Sequence, residues 1–216
     1  MSDANEVRKL GLADAYAVKT PEDNRALYRD WAATYEEDFI APRGYTYHVS
    51  VVQVFADAGA DFDAPVLDVG CGTGIVGVAL RDAGFSHIDG IDLSPEMLEQ
   101  AATKQVYRSL TEVDVTQPLA FDDATFGGVT SVGTFTHGHL GPEPLHELVR
   151  VTRSGGVLAI GINAEHYEEL GFADVLHSMI ETGVISERRL ERVRIYSNAD
   201  DDNADDLALV AVLVKA

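Results

Sequence analysis

Three glycines, Gly70, Gly72 and Gly74, stand directly after the apolar run Val66–Leu67–Asp68–Val69 and directly before a helix-like stretch that opens at Ile75. Glycines at this spacing let the backbone approach a ligand closely, and the first turn of the following helix offers it unpaired N–H groups. Asp92 lies twenty residues beyond Gly72 and closes the next apolar run. A carboxylate there stands where two ribose hydroxyls can donate to it. The chemistry these residues suit is the holding of a nucleoside cofactor. Gly72, Gly74 and Gly77 also satisfy G-x-G-x-x-G, so spacing alone leaves a nicotinamide enzyme and another adenosine-ligand binder both open. A tight turn whose glycines serve packing is the reading without a ligand; three glycines with a matched acid weigh against it.

Other residues carry weaker signals. Tyr28, Trp31 and Tyr35 fall on one helical face, the ordinary pattern of core packing. His137 and His139 follow an apolar run in Phe135-Thr-His-Gly-His. An imidazole titrates in the range a general base needs, whereas a metal site would require a third ligand that the sequence does not place nearby. A loop histidine bonded to backbone is the plain alternative. Cys71 is expected to be small rather than nucleophilic. Asp200–Asp201–Asp202 and Asp205–Asp206 read as a solvated loop, since the spaced pattern and closing Glu of a calcium loop are missing.

The elements that must position these groups alternate between strand-like and helix-like segments, the pattern of an α/β sheet. Thr20 caps a predicted helix opening at Pro21, and a second covers Thr46 to Ala60. Predicted strands cover Val66–Val69, His87–Ile91, Leu110–Val115, Gly128–Val132 and Val157–Ile162. Helices from Ile75 to Ala83, Pro95 to Lys104, Pro142 to Arg153 and Ala164 to Glu181 intervene or follow, the last broken near Gly171. Two late strands, Glu191–Tyr196 and Leu207–Val214, are joined only by a loop and should pair antiparallel at one edge. The 216 residues suit one domain, and the net charge of −20 argues against phosphate backbones and anionic lipid as partners. One cysteine, a polar N-terminal stretch and no long apolar run point to a cytoplasmic protein without a disulfide framework, secretory signal or membrane span.

The string Val66-Leu-Asp-Val-Gly-Cys-Gly-Thr-Gly74 resembles motif I of class I S-adenosylmethionine (SAM)-dependent methyltransferases, and Ile91-Asp-Leu-Ser-Pro-Glu-Met-Leu98 resembles their next motif. The wider pattern resembles the small group typified by the methyltransferase-like protein of the Williams–Beuren critical region. It runs from Tyr28-Arg-Asp-Trp-Ala-Ala-Thr-Tyr35 through Val132-Gly-Thr-Phe-Thr-His-Gly-His139 to Arg150-Val-Thr-Arg-Ser-Gly-Gly156. The resemblance implies that Asp68 engages the cofactor's amino group, directly or through water, and that Gly70, Cys71, Gly72 and Gly74 form the loop beneath methionine and ribose. It further implies that Asp92 holds the ribose hydroxyls and that Leu93 and Met97 pack on the adenine. Asp114 would accept from the adenine amino group beside Val115, while Val132 or Gly133 would line the methionine end. Tyr28, Trp31 and Tyr35 would belong to a lid over the cofactor, with Gly44–Tyr45 as its hinge.

The expected architecture is therefore a Rossmann-like, seven-stranded, mostly parallel α/β sheet with an antiparallel last strand and helices on both faces. One domain spans 1–216, with a helical lid over 1–62 and the core over 63–216. The expected activity is methyl transfer from SAM to a small-molecule acceptor, with His137 or His139 as candidate base, no metal, S-adenosylhomocysteine (SAH) as product, and an oligomeric state the sequence does not give. The alternatives are a nicotinamide-dependent oxidoreductase and a catalytically silent SAM-binding interaction protein. Absence of an Asn/Asp-Pro-Pro-Tyr string argues against base or amide methylation.

Overall fold

The structure, a computed structural model, describes residues 10–11, 14–15, 17–18, 20–136, 140–197 and 207–216. Helix α1 (Pro21–Trp31) begins as its sequence dictates: the Thr20 hydroxyl accepts from the Asp23 N–H at 3.1 Å, and Glu22 and Asp23 sit at the positive end of the helix dipole. The chain then makes a π-helical turn over Glu36–Ile40 and closes at Gly44, whose φ of 60° is left-handed. Helix α2 (Tyr47–Asp57) ends three residues short of the sequence expectation, where Gly59 takes φ 87°.

Seven strands form one sheet in the order β3-β2-β1-β4-β5-β7-β6. These are β1 (Val66–Val69), β2 (Ile88–Asp92), β3 (Ser109–Glu112), β4 (Phe126–Phe135), β5 (Thr152–Asn163), β6 (Ile185–Arg194) and β7 (Leu207–Lys215). Strands β1 to β5 are mutually parallel, and β7 runs antiparallel between β5 and β6. Helices α3 (Ile75–Ala83), α4 (Pro95–Thr103), α5 (Leu145–Val151), α6 (Ala164–Glu169) and α7 (Phe172–Glu181) complete the Rossmann-like layers. Side-chain alternation assigns the faces: Val157 and Ala159 of β5 join the core of α1, α2 and α3, whereas Leu158, Ile160 and Ile162 join that of α5, α6 and α7. The chain order reverses between β1 and β4, so the crevice for a ligand opens beyond their carboxyl ends.

Three expectations about elements are corrected. Strand β6 begins at Ile185, six residues before the expected start, and lies outermost. Its Ser-Glu-Arg-Arg-Leu-Glu-Arg run lacks alternation because both faces of this edge strand meet solvent, and charge there blocks edge-to-edge pairing. Helix α5 stops at Val151 rather than continuing to Arg153; Thr152 donates its hydroxyl to the Leu148 carbonyl at 2.7 Å and starts β5 directly. Gly44–Tyr45 is no free hinge. Ser197 N–H and hydroxyl both donate to the Gly44 carbonyl at 2.9 Å, and Thr46 N–H donates to Ile195 at 3.1 Å, clamping the segment to the chain after β6. No helix among the described residues is long and apolar enough to cross a membrane.

Candidate functional site

The glycine loop is tied to β2 by Gly70 and Cys71, whose N–H groups donate to the Ile91 carbonyl at 2.8 and 3.0 Å. Gly70, Gly72 and Gly74 have φ of 67°, 53° and 90°, conformations that cost an L side chain. The loop is drawn onto Asp92: Gly72 N–H donates to Oδ2 at 2.8 Å and Ser94 N–H to Oδ1 at 2.9 Å. Ser94 in turn caps α4 by accepting from Met97 N–H at 3.2 Å. A carboxylate oxygen accepts more than one donor, so Asp92 keeps capacity for two hydroxyls. Burial raises its pKa above the usual carboxylate range, and the backbone N–H groups pull the other way.

Above this clasp lies a cleft of about 260 Å³. Tyr28, Tyr35, Gly70, Gly72, Asp92, Leu93, Met97, Asp114, Val115 and Gly133 all line it. Leu93, Met97, Val113 and Val115 supply an apolar slot in its wall. Asp114 lies beyond the end of β3 rather than within a strand to Val115; its Oδ1 accepts from Thr116 N–H at 2.9 Å and Thr116 hydroxyl at 2.6 Å. Gly133, at φ 76°, sits where β4 slips register against β5, a bulge that bends the strand at the cleft.

Five residues expected at the cofactor are placed elsewhere. Trp31 is 1% exposed and packs edge-on against Tyr35 and Phe39 at 5.0 and 5.5 Å, so it forms core wall rather than cleft. The Val132 side chain is buried toward α2, leaving Gly133 as the residue that faces the cleft. Cys71 packs on Leu98 and Ala101, and burial pushes its thiol up, so it is no nucleophile. Gly74 is a packing glycine, with Ala101 and Tyr107 3.1 Å from where a Cβ would stand. Asp68 is fully buried and does not line the cleft; its Oδ2 accepts from the Tyr107 hydroxyl instead. His137 and His139, like the acidic loop at 200–206, lie outside the described residues.

The structure adds residues that sequence reasoning missed. Thr20, the cap of α1, and Asn24, one turn further on, line the cleft together with Thr116 and Leu140. Thr134 lines it too and donates its hydroxyl to the Val69 carbonyl at 3.2 Å. Tyr107 is the central omission. Its hydroxyl donates to Asp68 Oδ2 at 2.7 Å and accepts from Gly77 N–H at 3.1 Å, and a Cβ at Gly77 would collide with its ring. The third glycine of the ambiguous fingerprint thus makes room for a tyrosine. No local signal marks Tyr107, because its partners stand 39 and 30 residues away.

Asp68 has a consequence for stability. Burial raises its pKa from 3.8 to about 7 despite the Tyr107 hydrogen bond, and Oδ1 has no partner among the described residues. A folded-state pKa above the unfolded one means that the native state binds the extra proton between these values. Stability should therefore fall as pH rises from about 4 to about 7 and level off above. Denaturant melts across this window should show the slope, and Asp68→Asn should flatten it. Tyr107→Phe strips the carboxylate of its donor and Gly77 of its acceptor, so it should cost about 1–3 kcal/mol and extend the same decline to higher pH.

Residues 67–160 match the family described as a methyltransferase domain. In fold, motif order and this match, residues 67–160 resemble a class I SAM-dependent methyltransferase domain. Methyltransferase-like protein 27 of Homo sapiens is 36% identical over 137 residues, which are 62% of this chain and 55% of the human protein. The malonyl-[acyl-carrier protein] O-methyltransferase of Pseudescherichia vulneris is 33% identical over 125 residues, 55% of this chain and 49% of that protein. The chain thus spans about half the length of these curated relatives. Among solved structures, a chain from the complex of the Haloferax volcanii Trm112 methyltransferase activator superposes with a TM-score of 0.63. It is 20% identical, with 88% of this chain and 98% of that one covered, a likeness of fold. Among the described residues, no group of three or more His, Cys, Asp or Glu could hold a metal ion.

Proposed function

We propose that the protein transfers the methyl group of SAM to a small-molecule acceptor by in-line displacement and releases SAH. The observation that carries this reading is the Asp92 clasp: one carboxylate bonded to the Gly72 loop and to the cap of α4, at the edge of an apolar slot. The residues fit the cofactor. A Cβ at Gly72 would meet nothing within 4 Å, so the loop leaves an open cradle next to the two carboxylate oxygens. The sulfonium supplies the reactivity when SAM is bound; the chain binds, orients and excludes water. Alignment alone is worth roughly 7–11 kcal/mol of barrier, so no dedicated acid–base pair is required.

The net charge of −20 supports a small neutral or cationic acceptor over nucleic acid, and the named O-methyltransferase relative accords with a small acceptor. In this reading the chain works as one unit in the cytoplasm, residues 1–62 forming the lid over a core at 63–216. An acceptor hydroxyl or thiol, which must give up its proton to become a good nucleophile, would use a base at the end of β4. His137 and His139 follow Thr136 there, and His137→Ala would then depress turnover while SAM affinity stays within about twofold. Calorimetry tests the main claim: SAH should bind with measurable heat and NAD(H) should not. Heat with NAD(H) alone would restore the oxidoreductase reading, and SAH binding without turnover on any acceptor would leave a silent binding protein.

A further inference from the structure

Beside the cofactor cleft, and sharing Tyr28, Tyr35 and Gly133 with it, lies a second chamber of about 70 Å³. A single water needs about 10–15 Å³ of such space, so the chamber holds roughly five water-sized groups. Its walls are aromatic: Trp31, Phe39, Tyr45, Tyr47, Phe135 and Tyr196 contribute, and among the described residues no charged side chain lines it. Two wall residues are polar and unsatisfied, since Trp31 Nε1 and the Tyr47 hydroxyl are buried without a hydrogen-bond partner among the described residues. Buried polar atoms left unpaired are costly, and a ligand that pairs them recovers that cost.

Resting on the methyl-transfer reading above, we infer that this chamber seats the acceptor and that the accepting atom is a neutral nitrogen, an unprotonated amine or azole. Charge decides the class. The nitrogen lone pair forms the new N–CH3 bond, the pair of the breaking C–S bond stays on sulfur, and the positive charge moves from sulfonium to acceptor nitrogen. A proton leaves that nitrogen for solvent only after transfer. The charge is thus +1 before and after, and aromatic faces attract a cation at both stages. An N–H of the acceptor can donate to the Tyr47 hydroxyl, and a second heteroatom can accept from Trp31. A carboxylate or phenolate would lose its water in a chamber whose described walls hold no cation, leaving only the sulfonium to offset that loss. A neutral hydroxyl would need a base; burial holds the lining phenols of Tyr35, Tyr45 and Tyr47 protonated, so it would depend on His137 or His139, whereas a neutral nitrogen needs no base.

Trp31 is the only tryptophan of the chain, which makes the chamber observable. With the full chain saturated by SAH, imidazole should perturb Trp31 emission at concentrations at least tenfold below those of acetate or ethanol. With methyl-labelled SAM and a small-metabolite extract, the label should appear on nitrogen. Ala208→Leu fills the chamber from β7 without touching the cleft. It should cut that labelling at least tenfold while SAH affinity stays within twofold; if it loses SAH binding, Ala208→Val takes its place. Label on oxygen, sulfur or carbon, no label on nitrogen while SAH binds, equal response to acetate, or labelling indifferent to the filled chamber would each overturn the inference and leave the cofactor reading standing. Failure of SAH itself to bind would instead remove the cofactor reading.

Discussion

Replacing Asp92 by alanine should weaken SAH binding by at least on the order of 100-fold in calorimetry. Hydrogen bonds to a charged group contribute about 1.5–3 kcal/mol each, and two ribose hydroxyls would lose their shared acceptor. At 1.4 kcal/mol per tenfold, the combined loss spans roughly two to four powers of ten. The same change frees Gly72 N–H and Ser94 N–H, so part of the loss comes from a loosened loop rather than from missing contacts. Asp92→Asn separates the two: it keeps one acceptor oxygen and should fall between alanine and the unaltered protein. Unchanged affinity in Asp92→Ala would remove the carboxylate from the site and with it the cofactor reading.

Gly70 and Gly72 share a left-handed backbone but should respond differently to alanine. At Gly70 a Cβ would strike the Thr134 hydroxyl, in addition to the backbone strain at φ 67°. Left-handed strain costs about 1–2 kcal/mol and overpacking about 1–3 kcal/mol, so Gly70→Ala should lower stability by about 2–5 kcal/mol in denaturant melts. Thr134→Ser, which removes the methyl group, should not rescue it, whereas Thr134→Ala should in part. At Gly72 the Cβ projects into open space, so only the strain is felt in stability. The methyl group enters the cradle itself, and SAH affinity should drop at least tenfold. Equal stability losses at the two glycines would mean that the loop yields more easily than its bonds to Ile91 indicate.

Most of the clasp was legible because its signals are local. Thr20 and Ser94 before Pro21 and Pro95 set two helix starts by capping chemistry that needs only three neighbouring residues. The glycine run and Asp92 meet because β1 and β2 pair in parallel, which aligns Val69 with Ile91 and leaves both strand ends at one height. The helical spacing of Tyr28, Trp31 and Tyr35 was equally clear, but it did not say which ring faces which space. Tyr28 and Tyr35 line both cavities, while Trp31 lines the smaller alone. That division depends on how α1 lies against Phe39, Tyr45 and Tyr196, residues separated from it by a π-helical turn and a whole sheet.

The amino-acid sequence by itself determined the strand–loop–helix cradle, the acid that closes it, and the succession of the first five strands along the chain, since each rests on short-range sterics and on apolar periodicity. Tertiary packing alone decided that Tyr107 fills the space under Gly77 and bonds Asp68, that β7 inserts between β5 and β6, and that an aromatic chamber adjoins the cleft. Such features arise where side chains from distant segments compete for one volume. The winner is set by the fit of all of them together, which no single stretch of chain encodes.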